Sequence, residues 1–182
     1  MLLENKTAII TGSNKGIGKE ILKVFSKNGA NIFACTRNIN DEFKLFLDEL
    51  SKKYKNEIIP IKLDLADENQ VKNAANTIIK SGKPTDILIN NAGTIHTALF
   101  QMTPKKKLEE IFQINFFSQA VFTQYILKSM VKKKSGSIVY ISSSAAIDGN
   151  PGRSAYASSK AAINSQAKVL SNEFGVHNIR VN

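Results

Sequence analysis

Cysteine is the scarcest reactive residue in this chain: Cys35 is the only one among 182 residues. One thiol excludes an internal disulfide and any metal site built from several thiolates. Long apolar runs are also missing. Nothing approaches the roughly 20 consecutive apolar residues that span a bilayer, so no membrane partner is expected. The start, Met1-Leu2-Leu3-Glu4-Asn5, lacks the basic stretch and apolar core of an export signal, which makes a cytoplasmic protein the expectation. No repeat, low-complexity tract or linker breaks the sequence, and residues 1–182 read as a single domain. With 42% hydrophobic and 22% charged residues, that domain should be an ordinary globule.

Acidic residues are the next shortage, 15 against 25 Lys and Arg, for a formal charge of +10. Such an excess raises the question of nucleic acid. The lysines are scattered over several helical segments, with runs only at Lys105-Lys106-Lys107 and Lys132-Lys133-Lys134, the latter expected to be a solvated helix end. No arginine-rich helix or RNA-binding aromatic signature accompanies them, so no nucleic-acid partner is expected. Attraction of anionic small molecules or of an acidic protein is the better use of this charge.

What the chain does have is alternation. Thr7–Thr11 is a short apolar run ending at a glycine-rich turn. Ile17, Ile21, Val24 and Phe25 then recur at helical spacing, and Gly29 closes that helix. A strand over Asn31–Thr36 precedes a helix with Phe43, Phe46, Leu47 and Leu50 on one face. Ile58–Leu63 is a third strand, and Pro60 within it predicts a bulge or an irregular start. Asp67 begins a helix with Val71, Ala74, Ala75, Ile78 and Ile79 inward, stopped near Gly82 and Pro84. Asp86–Asn90 is the fourth strand, followed by one long helix from about Pro104 to Lys134. Ser137–Ile141 is the fifth strand, Ser154–Phe174 the next helix, and Ile179–Asn182 opens a sixth strand. Strands this uniformly apolar are covered on both faces. With right-handed crossovers they predict an α/β fold: a doubly wound parallel sheet in a Rossmann-type three-layer sandwich.

Two stretches carry chemistry. Thr11-Gly12-Ser13-Asn14-Lys15-Gly16-Ile17-Gly18 joins a strand to a helix, and its glycines permit a tight turn and close approach of backbone to a pyrophosphate at the helix N-terminus. Ser142 to Lys160 places a serine cluster at a strand end before a helix on which Tyr156 and Lys160, four residues apart, share a face. A serine hydroxyl facing such a pair can hold a carbonyl oxygen and deliver a proton to it. A free tyrosine titrates near pH 10 and is a poor base at neutrality; an ammonium one helical turn away favours the phenolate.

The T-G-x-x-x-G-x-G spacing, together with motifs further on, resembles the short-chain dehydrogenase/reductase family, in particular its 3-oxoacyl-[acyl-carrier-protein] reductase group. Asp64-Leu65 in L-D-L, Asn90-Asn91-Ala92-Gly93, Asn115 in I-N-F-F, and Ser143 thirteen residues before Tyr156 fall in the family's order. The resemblance covers all 182 residues and implies a catalytic set of Asn115, Ser143, Tyr156 and Lys160. Tyr156 would exchange the proton with the carbonyl oxygen, Ser143 would hold that oxygen, Lys160 would reach the nicotinamide ribose, and Asn115 would anchor a water relaying protons to Lys160. Gly12 to Gly18, Asp64, Leu65, Asn91, Ala92, Gly93, Tyr156 and Lys160 would contact the cofactor, with Asp64 and Leu65 at the adenine. The end of the second strand, Cys35-Thr36-Arg37-Asn38, carries no acid for a ribose 2′-hydroxyl; Arg37 and Lys15 would flank a 2′-phosphate instead, which favours NADP(H). No metal is implied.

The expected function is NADPH-dependent reduction of a carbonyl to a hydroxyl, of the 3-oxoacyl-[acyl-carrier-protein] type. The alternatives are a reductase or dehydrogenase of a sugar or other polar biosynthetic intermediate, and an inactive nucleotide-binding protein. Members of the resembled family continue past the sixth strand into a P-G motif, a substrate loop and a seventh strand, so the chain reads as C-terminally incomplete. Lys134 and, more weakly, His177 stand where the reductase group contacts the acidic acyl carrier protein. The helices around 104–134 and 154–174, the second with Ala155, Ala157, Ala161, Ala162 and Ala167, are the expected homo-oligomer contacts. Cys35 reads as a small strand residue, and His96 as a loop residue at the substrate mouth or one without a role.

Overall fold

A computed structural model describes residues 1–182. Six parallel strands form one sheet in the order β3-β2-β1-β4-β5-β6, comprising β1 (Thr7–Thr11), β2 (Asn31–Thr36), β3 (Ile58–Lys62), β4 (Ile87–Asn90), β5 (Gly136–Tyr140) and β6 (Ile179–Val181). The order reverses between β1 and β4, so the loops after these two strands diverge at the carboxyl edge and leave a crevice there. Helices α1 (Gly16–Lys27), α2 (Asp41–Tyr54), α3 (Glu68–Lys80), α4 (Lys105–Phe112), α5 (Ser118–Lys133), α6 (Ala145–Asp148) and α7 (Ser154–Phe174) complete the alternation. This is the doubly wound sandwich that the strand composition predicts. β1 is buried along its whole length. A core of twenty buried residues, including Phe33, Phe122, Ile126 and Met130, packs α3, α5 and α7 on one face, while Leu22, Phe43 and Leu47 seal the other. Each such side chain contributes about 1.5–3 kcal/mol by leaving water.

Local chemistry sets the element ends. Asp67 caps α3 by accepting from Asn69 N and Gln70 N, and Asn40 caps α2 through Phe43 N. α1 ends where Gly29 adopts φ +90°, the expected left-handed stop.

Several expectations need correction. Pro60 makes no bulge: β3 is the sheet's edge strand, and Pro60 sits in regular register opposite Ala34, where one side of the strand has no partner to receive an N–H. On α1 the buried stripe is Gly18, Leu22 and Ser26, leaving Ile17 and Val24 exposed. Ile79 of α3 is likewise exposed. The helical stretch from Pro104 to Lys134 runs without a break as expected but is not uniform: a π-helical turn, Gln113–Phe117, lies between α4 and α5 and places Asn115 in the interior. The polar loop after β5 folds into the short α6. Ala155 is buried within the subunit and cannot line an intersubunit contact. Lys132, Lys133 and Lys134 form the expected solvated end of α5, all three exposed, and Lys133 Nζ also donates to Thr85 O (2.9 Å) and Asp86 Oδ1 (2.6 Å) just before β4. No helix is long and apolar enough to cross a membrane.

Candidate active site

The turn after β1 is stitched to the turn after β4 by one hydroxyl. Thr11 Oγ1 accepts from Asn91 N and Ala92 N, both at 3.0 Å, and donates to Ile89 O at 3.3 Å. Asn91 Nδ2 returns the contact, donating to Thr11 O (2.8 Å) and Gly12 O (3.2 Å). Two glycines are obligatory here. Gly12 has φ +68°, and a Cβ on Gly18 would stand 2.3 Å from Gly12 O and 2.5 Å from Asn91 Nδ2. The turn therefore leaves its outer face as bare backbone. Asn14, Lys15, Gly16 and Ile17 are exposed, and no side chain caps the N-terminus of α1, so its first N–H groups remain available to an anion. Ser13 behaves differently from its neighbours. It is fully buried, and its N and Oγ both donate to Cys35 O at 3.1 Å, so its side chain braces β2 and does not face outward.

β2 and β3 place the next group. Arg37 emerges exposed just after Thr36, and Lys15 is exposed on the neighbouring turn; neither has a carboxylate within ion-pair distance. Leu63 N donates to Thr36 O (2.8 Å), which sends the loop after β3 out beside Arg37. In that loop Asp64 Oδ1 accepts from Ala66 N (2.9 Å), and the buried Leu65 gives its carbonyl to Ser118 Oγ (2.6 Å).

Of the four residues singled out for proton chemistry, Lys160 and Tyr156 lie together on α7, Asn115 in the π turn meets Lys160 across Gly93, and Ser143 sits in the segment after β5. Lys160 is 3% exposed, and its Nζ donates to Ile141 O at 2.7 Å and lies 5.8 Å from the centroid of the Tyr156 ring. Burial pushes this ammonium down to about 8. Tyr156 is half-buried on the same face of α7. Asn115 is fully buried: Oδ1 accepts from Thr94 N (2.8 Å), while Nδ2 donates to Thr94 O (2.9 Å) and Ser159 Oγ (3.0 Å). Ser159 Oγ in turn donates to Tyr156 O (2.7 Å). A Cβ on Gly93 would lie 3.2 Å from Asn115 Oδ1 and 3.6 Å from Lys160 Nζ, which brings the N-N-A-G turn against both. Ser143 Oγ accepts from Ala145 N (3.2 Å), so its own proton is free to be donated. Of its neighbours, Ser142 has a buried Oγ with no partner and Ser144 is exposed.

His96 also carries a buried, unpartnered Nε2, on a loop that Ala98 N ties to Gly152 O (3.0 Å). Cys35 is completely buried and burial pushes its thiol up, which leaves it inert. Sequence reasoning missed Thr11, Ser118, Gln119 and Ser159. The available signal was polar residues at inward helical positions: Asn115, Ser118 and Gln119 are in phase with the apolar Phe122 and Ile126.

The family model described as short chain dehydrogenase matches residues 6–182. The chain is 34% identical to the 3-oxoacyl-[acyl-carrier-protein] reductase FabG of Thermotoga maritima, over all of this chain and 73% of that protein. It is 35% identical to the oxidoreductase UcpA of Salmonella typhimurium, over 99% of this chain and 68% of that one. Among solved structures, it is similar to a protein of Beutenbergia cavernae described as an NAD(P)-dependent gluconate 5-dehydrogenase with NADP bound at low occupancy. That match has a TM-score of 0.91 and 29% identity over 99% of this chain and 71% of that one. A 7α-hydroxysteroid dehydrogenase in complex with NADH and a 7-oxo bile acid also superposes with a TM-score of 0.91, at 33% identity over 99% and 69% of the two chains.

Proposed function

The chain belongs to the short-chain dehydrogenase family of oxidoreductases, and from that premise we propose that it reduces a carbonyl to a hydroxyl with NADPH, the substrate being a 3-oxoacyl thioester. The observation that carries this reading is the placement of Lys160, buried with its ammonium turned toward Tyr156 and its Nζ tethered to Ile141 O. An ordinary surface-bound helix has no reason to bury a lysine at a cost of several kcal/mol.

The cradle suits a dinucleotide phosphate. Gly12 and Gly18 clear the backbone, the α1 N-terminus is uncapped, and Lys15 and Arg37 are two unpaired cations beside it. Arg37 and Lys15 would hold a 2′-phosphate, Asp64 and Leu65 the adenine, and Asn91, Ala92 and Gly93 the riboses. The bound cofactor supplies the hydride. Tyr156 donates its phenolic proton to the substrate oxygen, and the ammonium of Lys160 stabilises the phenolate left behind. Ser143 donates its free hydroxyl proton as a hydrogen bond to the same oxygen. Lys160, drawn down to about 8, can exchange a proton near neutral pH and recharge Tyr156. Asn115 uses both amide protons within the fold, so a water held by its side chain would have to share Oδ1, which lies beside Gly93, with Thr94 N.

The acyl reading draws on the rim. Ile95, Leu99, Phe100 and Met102 in the loop after β4, and Ile147 on α6, are exposed apolar side chains on the two loops flanking Ser143 and Tyr156, a poor lining for a polyhydroxylated substrate. The exposed Phe117 of the π turn, Val121 of α5 and Val169 of α7 are consistent with pairing of two copies through these helices, and the exposed Lys132 and Lys134 with docking of an acidic carrier protein. The test is turnover of NADPH with a 3-oxoacyl thioester. Tyr156→Phe should lower kcat by about 10²–10⁴-fold at little cost in KM. Turnover within twofold of the unmodified protein refutes the proton-donor role.

A further inference from the structure

A helix packed on a sheet is expected to turn an apolar stripe inward, and the later part of α5 does so with Phe122, Ile126 and Met130. Its start does not. Asn115 in the π turn and Ser118, Gln119 and Thr123 in α5 are all buried, 0–2% exposed. Four buried polar side chains on one helix face are costly unless each is bonded, and the first three are bonded to the loops at the carboxyl edge of the sheet. Ser118 Oγ donates to Leu65 O at 2.6 Å and accepts from Gln113 Nε2 at 3.0 Å. Gln119 Nε2 donates to Ala92 O at 2.6 Å; that carbonyl also fixes the amide's orientation, because the amide oxygen in its place would face another oxygen. Asn115 holds both the N and the O of Thr94.

The loops so gripped lie at opposite ends of the crevice. The loop of Leu65 leaves the sheet beside Arg37, because Leu63 N is bonded to Thr36 O. The Ala92–Thr94 loop abuts Lys160, since a Cβ on Gly93 would be 3.6 Å from its Nζ. We infer that the first turn of α5 is a bracket that sets the distance between the two halves of the dinucleotide site, with Ser118 positioning the phosphate-and-adenine half and Gln119 the half at which proton transfer occurs. The π turn brings this about. The extra residue shifts the helix phase so that Asn115 reaches Thr94 while Ser118 and Gln119, three and four positions on, reach Leu65 and Ala92 from the same face. Neither Ser118 nor Gln119 is a catalytic residue; each acts through a backbone carbonyl. The inference rests on the dinucleotide reading above.

The test separates the two halves. Ser118→Ala and Gln119→Met are compared with the unmodified chain by amide hydrogen exchange over residues 64–67 and 91–95, by calorimetric affinity for adenosine 2′,5′-bisphosphate, and by kcat at saturating NADPH. Ser118→Ala should speed exchange in 64–67 alone and weaken the bisphosphate by roughly three- to tenfold, as loss of one buried hydrogen bond predicts. Gln119→Met should speed exchange in 91–95 alone, lower kcat by a similar factor, and leave bisphosphate affinity within twofold. Equal loosening of both segments by either variant, or selective loosening with no matching functional split, overturns the bracket. An unmodified chain that binds neither the bisphosphate nor NADPH refutes the dinucleotide reading itself, and with it this inference.

Discussion

Lys160→Met should stabilise the cofactor-free protein at neutral pH while removing its activity. In the fold the ammonium is lowered from 10.5 to about 8 by burial, which corresponds to about 3 kcal/mol against the charged form. Below pH 8 that cost is carried in full, because Lys160 is protonated both folded and unfolded. Between about 8 and 10.5 the unfolded chain binds the extra proton, so the stability of the unmodified protein rises with pH by up to about 1.4 kcal/mol per unit; above 10.5 the cost is gone. Methionine removes the charge but strands Ile141 O, which the Nζ holds at 2.7 Å. A buried carbonyl left without its donor costs about 1–3 kcal/mol. The variant should therefore be more stable by about 1–2 kcal/mol at pH 7. It should lose that advantage as pH rises through 9, and be the less stable protein near pH 10.5. Urea denaturation of both proteins across this range measures the difference directly. A difference that does not change with pH, or a variant less stable at pH 7 by more than about 1 kcal/mol, refutes the view that Lys160 is held charged at the expense of stability.

Other perturbations test separate parts of the molecule. Arg37→Ala should raise KM for NADPH by about tenfold or more, as loss of a charge-assisted phosphate contact implies, and leave KM for NADH within twofold; equal effects on both cofactors would remove the 2′-phosphate assignment. Gly18→Ala should destabilise the protein by about 2–3 kcal/mol, because its Cβ would meet the backbone oxygen of Gly12 at 2.3 Å and neither can move aside. Gly82→Ala, strained at φ +70° but open to solvent, should cost only about 1 kcal/mol; comparable losses at 18 and 82 would contradict the close approach. Cys35, wholly buried with its thiol pushed up, should resist iodoacetamide at pH 8 in the folded protein and react readily in urea; rapid labelling without denaturant would mean that β2 is not covered as described.

Much of this site is legible in one dimension because it is built from local constraints. The glycine turn reads as a phosphate cradle since φ +68° favours glycine at position 12, where a Cβ would also crowd Ala92 and Asn91 at 3.0 Å, and the 2.3 Å contact requires it at position 18. Tyr156 and Lys160 read as a pair because four residues on a helix is one turn. Ser143 is singled out from Ser142 and Ser144 by a thirteen-residue spacing to Tyr156 that only the family resemblance makes meaningful, and the structure adds that its proton is unspent. Less legible were features that depend on where a strand or helix lies relative to others. Pro60 signals discomfort in a strand, but only the sheet order makes that strand an edge. Ser13 looks like an outward member of the turn until Cys35 O is placed beneath it. Lys133 is one of three adjacent lysines and becomes distinct only through Asp86, forty-seven positions away in sequence.

The amino-acid order by itself determined the alternation of elements, the cradle and the Tyr–Lys pair, because backbone sterics and helical spacing act over a few residues. The burial that draws Lys160 down to about 8, the π turn that carries Asn115 to Thr94, and the grip of Ser118 and Gln119 on loops far away in sequence were decided by tertiary structure alone. Desolvation and long-range hydrogen bonds exist only once distant segments have closed around a group, and no local pattern records which segments those will be.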